Sequence, residues 1–381
     1  MQFRYSKSIS DMRIGIVLHP YGEREPAGLA RTIFELARGM LEVDEKNEYL
    51  IFTKYAPIVP PELPGKNWRL VPLLARDSSF FSRMFWLNRL RRAAQADVYL
   101  FNTPVLPLFS KPARSVVLAL DFAYLRLPPE NIRQWISKYL TRAYHTYSLR
   151  RADRIVAISE ATKRDTTALF GTLAERIAVV LCGFKRVCDA KETPRDVREP
   201  FFLCIGVVKQ RKNTLAVVEA FAEYCAEGGE GGLVLGGRME GVYAERVRRA
   251  IHERGVADRA QTIGHLNDGE LSFLYRRARA LVFPSLIEGF GYPILEAMHC
   301  GLPVITSNCS SLAEVAGDAA LLVDPRDPHA LARAMLRLSR EPMLRTELVS
   351  RGRARAAQFS WREAGSEMLG VLAEVATPSV R

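Results

Sequence analysis

Residues 288–296 read Glu288-Gly289-Phe290-Gly291-Tyr292-Pro293-Ile294-Leu295-Glu296. Two carboxylates stand eight positions apart, with a Gly-aromatic-Gly turn and a proline between them. Upstream, the apolar run Ala280 to Pro284 reads as a buried strand. Downstream, Pro293 to Cys300 reads as a helix ended by Gly301, since proline favours a helix start and glycine the position past its end. Glu288 is thereby placed in a glycine-rich loop at the carboxyl end of a strand, and Glu296 about one turn inside the next helix. Open parallel sheets bind ligands at such strand ends, and helix N-termini attract phosphate. Two glutamates at this spacing occur in many chains; the whole run, with its glycines, proline and flanking strand, does not.

Working outward, apolar runs alternate with amphipathic ones along the chain. Strands are expected at Arg13–Leu18, Tyr49–Phe52, Val98–Asn102, Ser115–Leu120, Arg154–Ile158 and Ile177–Leu181. Helices are expected at about Leu29–Leu41, Phe80–Ala94, Arg133–Arg150 and Glu160–Leu169. The polar stretch Lys185–Pro200 interrupts the pattern and reads as a linker. Strands then resume at Phe201–Gly206, Gly232–Leu235, Ala260–Ile263, Pro303–Thr306 and Ala320–Val323, with helices at Asn213–Glu227, Val242–Arg254 and Asp268–Ala278 and three helices at the end. Such alternation predicts an α/β chain with parallel sheets covered on both faces. At 381 residues it suits two domains: 1–184 and 201–358, joined by 185–200 and followed by a helical tail, 359–381.

Composition is that of a globular protein, 48% apolar and 25% charged. No apolar run reaches membrane-spanning length, and the N-terminus lacks the apolar segment of a secretory leader. Six cysteines show no CxxC pair and no zinc-ligand spacing, so reduced, buried thiols in a cytoplasmic protein are expected. Residues 1–182 carry 27 Lys and Arg against 17 Asp and Glu, a net +10; the remainder is +2. A basic half suits an anionic partner such as a membrane surface, a lipid phosphate or a nucleic acid. No nucleic-acid-binding motif accompanies the charge, so no nucleic-acid partner is expected. A nicotinamide-dependent oxidoreductase would need GxGxxG after a strand, and the nearest candidate, Gly236–Gly241, has the wrong spacing.

The run from Glu288 to Ser307 resembles the signature of the retaining glycosyltransferases of family 4, nucleotide-sugar enzymes of the GT-B fold, whose two Rossmann-like domains flank a cleft. Tyr292 and His299 depart from the usual residues. The resemblance implies that Glu288 contacts the donor sugar, that amides of Gly289, Phe290 and Gly291 face sugar or diphosphate, and that Glu296 holds the ribose. Gly206 to Asn213 resembles the family's basic phosphate clamp, with Arg211 and Lys212 at its last two positions and Val207 where relatives carry arginine. Gly264 resembles the loop beside the nucleobase, and Gly28 the glycine loop after the first strand. Relatives read His-Asp at Leu120-Asp121; the histidine is replaced here, and Asp121 is retained. Ala152 to Asp165 matches a further family segment, in which Ser159 and Lys163 are candidate acceptor contacts and Ser159 equally a helix cap.

The resemblance thus implies metal-independent transfer without a bound cofactor. Catalysis would rest on Glu288, Arg211, Lys212 and Asp121. The donor would be a nucleotide-diphosphate sugar, a GDP-sugar carrying mannose or a deoxy-relative being expected first. The acceptor would be a lipid-linked or growing glycan of surface polysaccharide, and the enzyme cytoplasmic and peripheral to the membrane. A non-catalytic sugar-nucleotide binder is the first alternative, and a nucleic-acid-binding protein the second. Phe80 to Arg92 interleaves aromatics with arginines; it suits either a membrane interface or an inward-packed helix.

Overall fold

A computed structural model describes residues 11–18, 29–57, 59–74, 85–110, 112, 114–129 and 131–377. The chain divides into two compact units, Met1–Gly183 with Phe359–Arg381, and Phe184–Gln358.

The first unit is a parallel sheet in the order β3-β2-β1-β4-β5-β6-β7. Its elements are β1 (Arg13–Val17), α1 (Leu29–Val43), β2 (Glu48–Tyr55), β3 (Trp68–Leu74), β4 (Val98–Phe101), β5 (Ser115–Ala119), α2 (Ile132–Arg151), β6 (Arg154–Ala157), α3 (Glu160–Phe170) and β7 (Ile177–Val179). Every residue of β4 and β5 is buried, as a parallel sheet covered on both faces requires. The sequence reading omits β3. That strand carries Pro72, which cannot donate to a ladder and is tolerated because β3 lies at the sheet edge. Of the expected Phe80–Ala94 helix, residues 80–84 lie outside the described residues. The rest forms short turns, Trp86–Arg89 and Leu90–Ala93, with Trp86, Leu87 and Leu90 buried in the core. The inward-packing reading holds for that part.

The last helix, Trp361–Ala376, packs on α1 at a very close crossing. A Cβ on Gly39 would lie 2.0 Å from the Trp361 carbonyl oxygen, and one on Gly365 would lie 2.3 Å from the Gly39 carbonyl carbon. Only glycine at both positions lets the two backbones approach this far. Arg114 reinforces the far end by donating to the Ala376 carbonyl.

The second unit is a parallel sheet in the order β10-β9-β8-β11-β12-β13. It comprises β8 (Phe201–Ile205), α4 (Thr214–Ala226), β9 (Gly232–Gly236), α5 (Val242–Glu253), β10 (Ala260–Gly264), α6 (Asp268–Arg277), β11 (Ala280–Phe283), α7 (Tyr292–His299), β12 (Val304–Ser307), α8 (Ser310–Ala316), β13 (Leu321–Val323), α9 (Pro328–Arg340) and α10 (Pro342–Ala356). The winding direction reverses between β8 and β11, which pair through Phe202 with Ala280 and Leu203 with Leu281. Crevices outside the carboxyl ends of two such strands are where doubly wound sheets place ligands.

The stretch read as a linker is packed on this unit. Thr193 donates its amide to the Gly269 carbonyl at 3.0 Å, Arg195 pairs with Glu270 at 3.1 Å, and Val187 is buried. Cys188 in the same stretch forms a disulfide with Cys300 at the end of α7. The expectation that all six thiols are reduced is therefore corrected. The two cysteines are 112 positions apart in sequence yet 5.6 Å apart at Cα, a proximity that only the folded path of residues 184–200 creates. Cys182, Cys204, Cys225 and Cys309 form no disulfide. Among the described residues, no helix is long and apolar enough to cross a membrane.

Candidate functional site

Two loops leave the carboxyl ends of the adjacent strands β8 and β11. The first begins at Gly206 (φ +122°), passes through a turn at Gln210–Lys212, and enters α4 at Asn213 (φ +58°), whose side chain donates to the Pro325 carbonyl at 2.6 Å. The second runs from Pro284 to Gly291. The Leu286 amide donates to the Arg211 carbonyl at 2.8 Å, which fixes one loop against the other.

Across that junction Arg211 Nη1 donates to Glu288 Oε2 at 2.8 Å and Lys212 Nζ to Glu288 Oε1 at 2.6 Å. The Lys212 ammonium also stands 4.5 Å from the centre of the Phe283 ring. Glu288 and Lys212 side chains are only 11% and 14% exposed. Burial pushes the Glu288 carboxyl up, but the charges of Lys212 and Arg211 reverse this and hold it below its ordinary range. Burial pulls the Lys212 ammonium below its usual value, and the Glu288 charge opposes that fall. Two cations on one carboxylate leave a local excess of one positive charge at the strand ends. An anion entering there meets cations already dried and oriented.

Hydroxyls from α8 hold the Glu288 loop from behind. Ser310 and Ser311 donate to the Glu288 carbonyl at 2.7 and 2.9 Å. The Glu288 amide in turn donates to Ser310 Oγ at 3.1 Å. The sequence reading omits α8, although Ser310-Ser311 just after a strand is a helix-start signal.

Beside the cation pair, the ends of β8, β9 and β10 form a shelf of bare backbone. The Gly206 amide donates to the Gly236 carbonyl at 2.8 Å, and the Gly237 amide to that of Gly264 at 2.6 Å. A Cβ on Gly237 would lie 2.1 Å from the Gly206 oxygen. Gly206 and Gly264 thus flank the end of β9 on either side. Gly236 and Gly237 complete the shelf; read only for GxGxxG spacing, they show nothing in sequence.

Gly291 (φ +114°) starts α7. Phe290 is only 2% exposed, so its ring belongs to the core and only its backbone is open to a ligand role, as with Gly289 and Gly291. One turn on, Glu296 Oε2 accepts from the Tyr275 hydroxyl at 3.1 Å. Tyr275 is wholly buried, and burial together with the Glu296 charge keeps its hydroxyl protonated far above its ordinary pKa. Tyr275, on α6, has no sequence signal beyond helical apolar spacing.

Sites in the first unit are simpler. Asp121 Oδ1 accepts the Ala123 amide at 3.1 Å and so shapes the turn after β5. Leu120, where relatives carry histidine, is buried. Ser159 is fully buried as the cap of α3, accepting the Thr162 amide at 3.1 Å. Lys163 is half-buried in the first turn of α3. Gly28 lies outside the described residues. A half-buried imidazole not expected from sequence, His145, meets the Tyr124 hydroxyl at 3.0 Å and is kept neutral by desolvation, its pKa lowered to about 4.

Two doubly wound parallel sheets, one with a basic cluster and a glycine shelf at its switch point, define the GT-B class of nucleotide-sugar enzymes. The family model for glycosyl transferases group 1 matches residues 188–355, and that for glycosyltransferase family 4 matches residues 26–185. O-antigen chain mannosyltransferase B of Escherichia coli is 30% identical over 368 residues, covering 90% of this chain and 94% of that protein. Sucrose-phosphate synthase from Thermosynechococcus elongatus superposes with a TM-score of 0.74 at 20% identity, covering 95% and 98% of the two chains. Anabaena HepE, solved with UDP-glucose, gives 0.69 at 15% identity, covering 95% and 100%. The chain belongs to the family 4 glycosyltransferases.

Proposed function

We propose that this glycosyltransferase moves a hexose, mannose first, from a nucleotide-diphosphate sugar to a lipid-linked or growing glycan in surface-polysaccharide synthesis, with retention at the anomeric carbon. The observation that carries the reading is the half-buried Arg211–Glu288–Lys212 cluster at the β8/β11 switch point. Its net positive charge and the neighbouring glycine shelf suit a diphosphate. Similarity over nearly full length to an O-antigen mannosyltransferase supports mannose; a GDP-sugar is the donor proposed with it.

In this mechanism Arg211 and Lys212 bind the diphosphate and neutralise the charge that grows on it as the glycosidic bond breaks. The departing phosphate oxygen takes the proton of the acceptor hydroxyl, which attacks from the same face. Glu288 holds both cations and contacts the sugar hydroxyls, and Glu296, aimed by Tyr275, binds the ribose. Gly206, Gly264 and the amides of Gly289, Phe290 and Gly291 line the donor, with Gly28 completing its phosphate contacts. Asp121, Ser159 and Lys163 are the proposed acceptor contacts. The cations supply the charge that a metal supplies in other transferases, so the reaction is proposed to need none.

Incubation with GDP-mannose or UDP-glucose and lipid-linked acceptors tests this. Transfer from GDP-mannose giving an α-linked product is expected, with Lys212→Ala lowering it about 10²–10³-fold. Absence of transfer from either donor, or undiminished transfer by the variant, would overturn it.

A further inference from the structure

Helix α2 displays its apolar residues outward. Ile132, Trp135, Ile136, Tyr139 and Leu140 recur at three- and four-residue spacing, which aligns them on one stripe. They are between 48% and 69% exposed. The groups that tie the helix to the unit are mostly polar: Tyr144 donates to the Leu106 carbonyl at 2.7 Å, Ser148 Oγ accepts the Leu106 amide at 3.0 Å, and His145 meets Tyr124. The usual arrangement of a surface helix, apolar face inward and polar face outward, is reversed here. Such a stripe on a soluble domain marks an interaction surface.

The charge along the helix selects the partner. Residues 131–151 contain no Asp or Glu and five cations, Arg133, Lys138, Arg142, Arg150 and Arg151. Close to the C-terminal half of the helix, Tyr147 donates to the Leu108 carbonyl at 2.9 Å, and the next residue, Phe109, is 78% exposed. Aromatic and aliphatic side chains with a cationic fringe match the boundary between headgroups and acyl chains in an anionic bilayer. A protein partner would be expected to meet acidic as well as basic groups across its rim.

We infer that the outward face of α2 is the membrane-docking surface of this enzyme and that its ligand is an anionic phospholipid bilayer. This deepens the reading that the acceptor is lipid-borne; of the stretch Phe80–Arg92, the described aromatics are the half-buried Phe85 and the buried Trp86. Bilayer binding needs no donor, so its failure and the failure of sugar transfer are separately visible.

The test is co-sedimentation of the full chain with vesicles of phosphatidylglycerol and phosphatidylcholine, or of phosphatidylcholine alone. Ile136→Ser/Leu140→Ser is compared with the parent, together with a Trp135→Phe variant. Binding to the anionic vesicles is expected, weakening with salt, and falling at least about tenfold in the double serine variant. Brominated lipid is expected to quench the parent's tryptophan fluorescence, and to lose that effect in Trp135→Phe. Circular dichroism shows that the serine variant is folded. Unchanged vesicle binding by the folded serine variant would overturn the inference. So would a stable dimer in buffer that the serine substitutions dissociate, because the stripe would then be covered by a second copy.

Discussion

Glu288→Gln is expected to lower kcat/KM for sugar transfer about 10²–10³-fold. The substitution keeps the shape but removes the charge that organises Arg211 and Lys212 from 2.8 and 2.6 Å. It acts on both cations at once. Lys212, already pulled below its usual pKa by burial, loses the group that opposes the fall, so the alkaline limb of the kcat/KM profile moves to lower pH. Stability changes too, because removing one member of a buried pair strands the other; about 3 kcal/mol is expected.

The pH dependence of that stability follows from the sign of the Glu288 shift. Its folded pKa lies below the ordinary 4.5, so its contribution is whole above about that value and is lost as pH falls through the lower folded one. The variant lacks this acid-sensitive step. Urea midpoints at neutral pH and near pH 4, alongside the rate profile, measure each effect. A variant within threefold of the parent in kcat/KM and equal in stability would remove Glu288 from the centre of the site.

The second large effect is expected at Gly237→Ala. The new methyl would sit 2.1 Å from the Gly206 carbonyl oxygen, at a φ of +132° that side chains rarely adopt. Because the obstacle is backbone, the ends of β8 and β9 must part. That breaks the shelf while the core beneath stays intact. A loss of about 3 kcal/mol is expected from strain and overpacking together, with donor binding lost even where the fold survives. Gly241→Ala is the control. Its φ of +83° and ψ of 177° are essentially reserved for glycine, but no atom lies within 4 Å of the added methyl, so only the backbone cost of about 1–3 kcal/mol applies, without the clash. Equal urea midpoints and equal donor affinity in the two variants would mean that the close approach at Gly206 is unimportant.

These two positions also mark what the sequence could and could not show. Glu288 was legible because its loop, helix and flanking strand are contiguous, and local spacing places all of them. Arg211 and Lys212 were legible as a basic turn after a strand, but their pairing with Glu288 lies 76 or 77 positions away and follows only from β8 lying next to β11. Gly237 was hidden because its role is a contact with another strand's carbonyl, a relation with no sequence period. The same holds for the Cys188–Cys300 bond and for Tyr275 behind Glu296. Strand β3 escaped notice because its Pro72 argues against a strand in general and is allowed only at an edge, which the sheet order alone reveals. The apolar stripe of α2 was written in its three- and four-residue spacing; what sequence could not supply is that the stripe faces outward.

We propose that the second unit grips a diphosphate through Arg211 and Lys212. Calorimetric affinities of GDP and UDP against their monophosphates, for the parent and for Arg211→Ala/Lys212→Ala, decide this. One diphosphate is expected to bind at least about tenfold more tightly than its monophosphate, a difference of about 1.4 kcal/mol, and the double variant is expected to abolish the preference. A preference that survives in the folded double variant, or no preference in the parent, would contradict it.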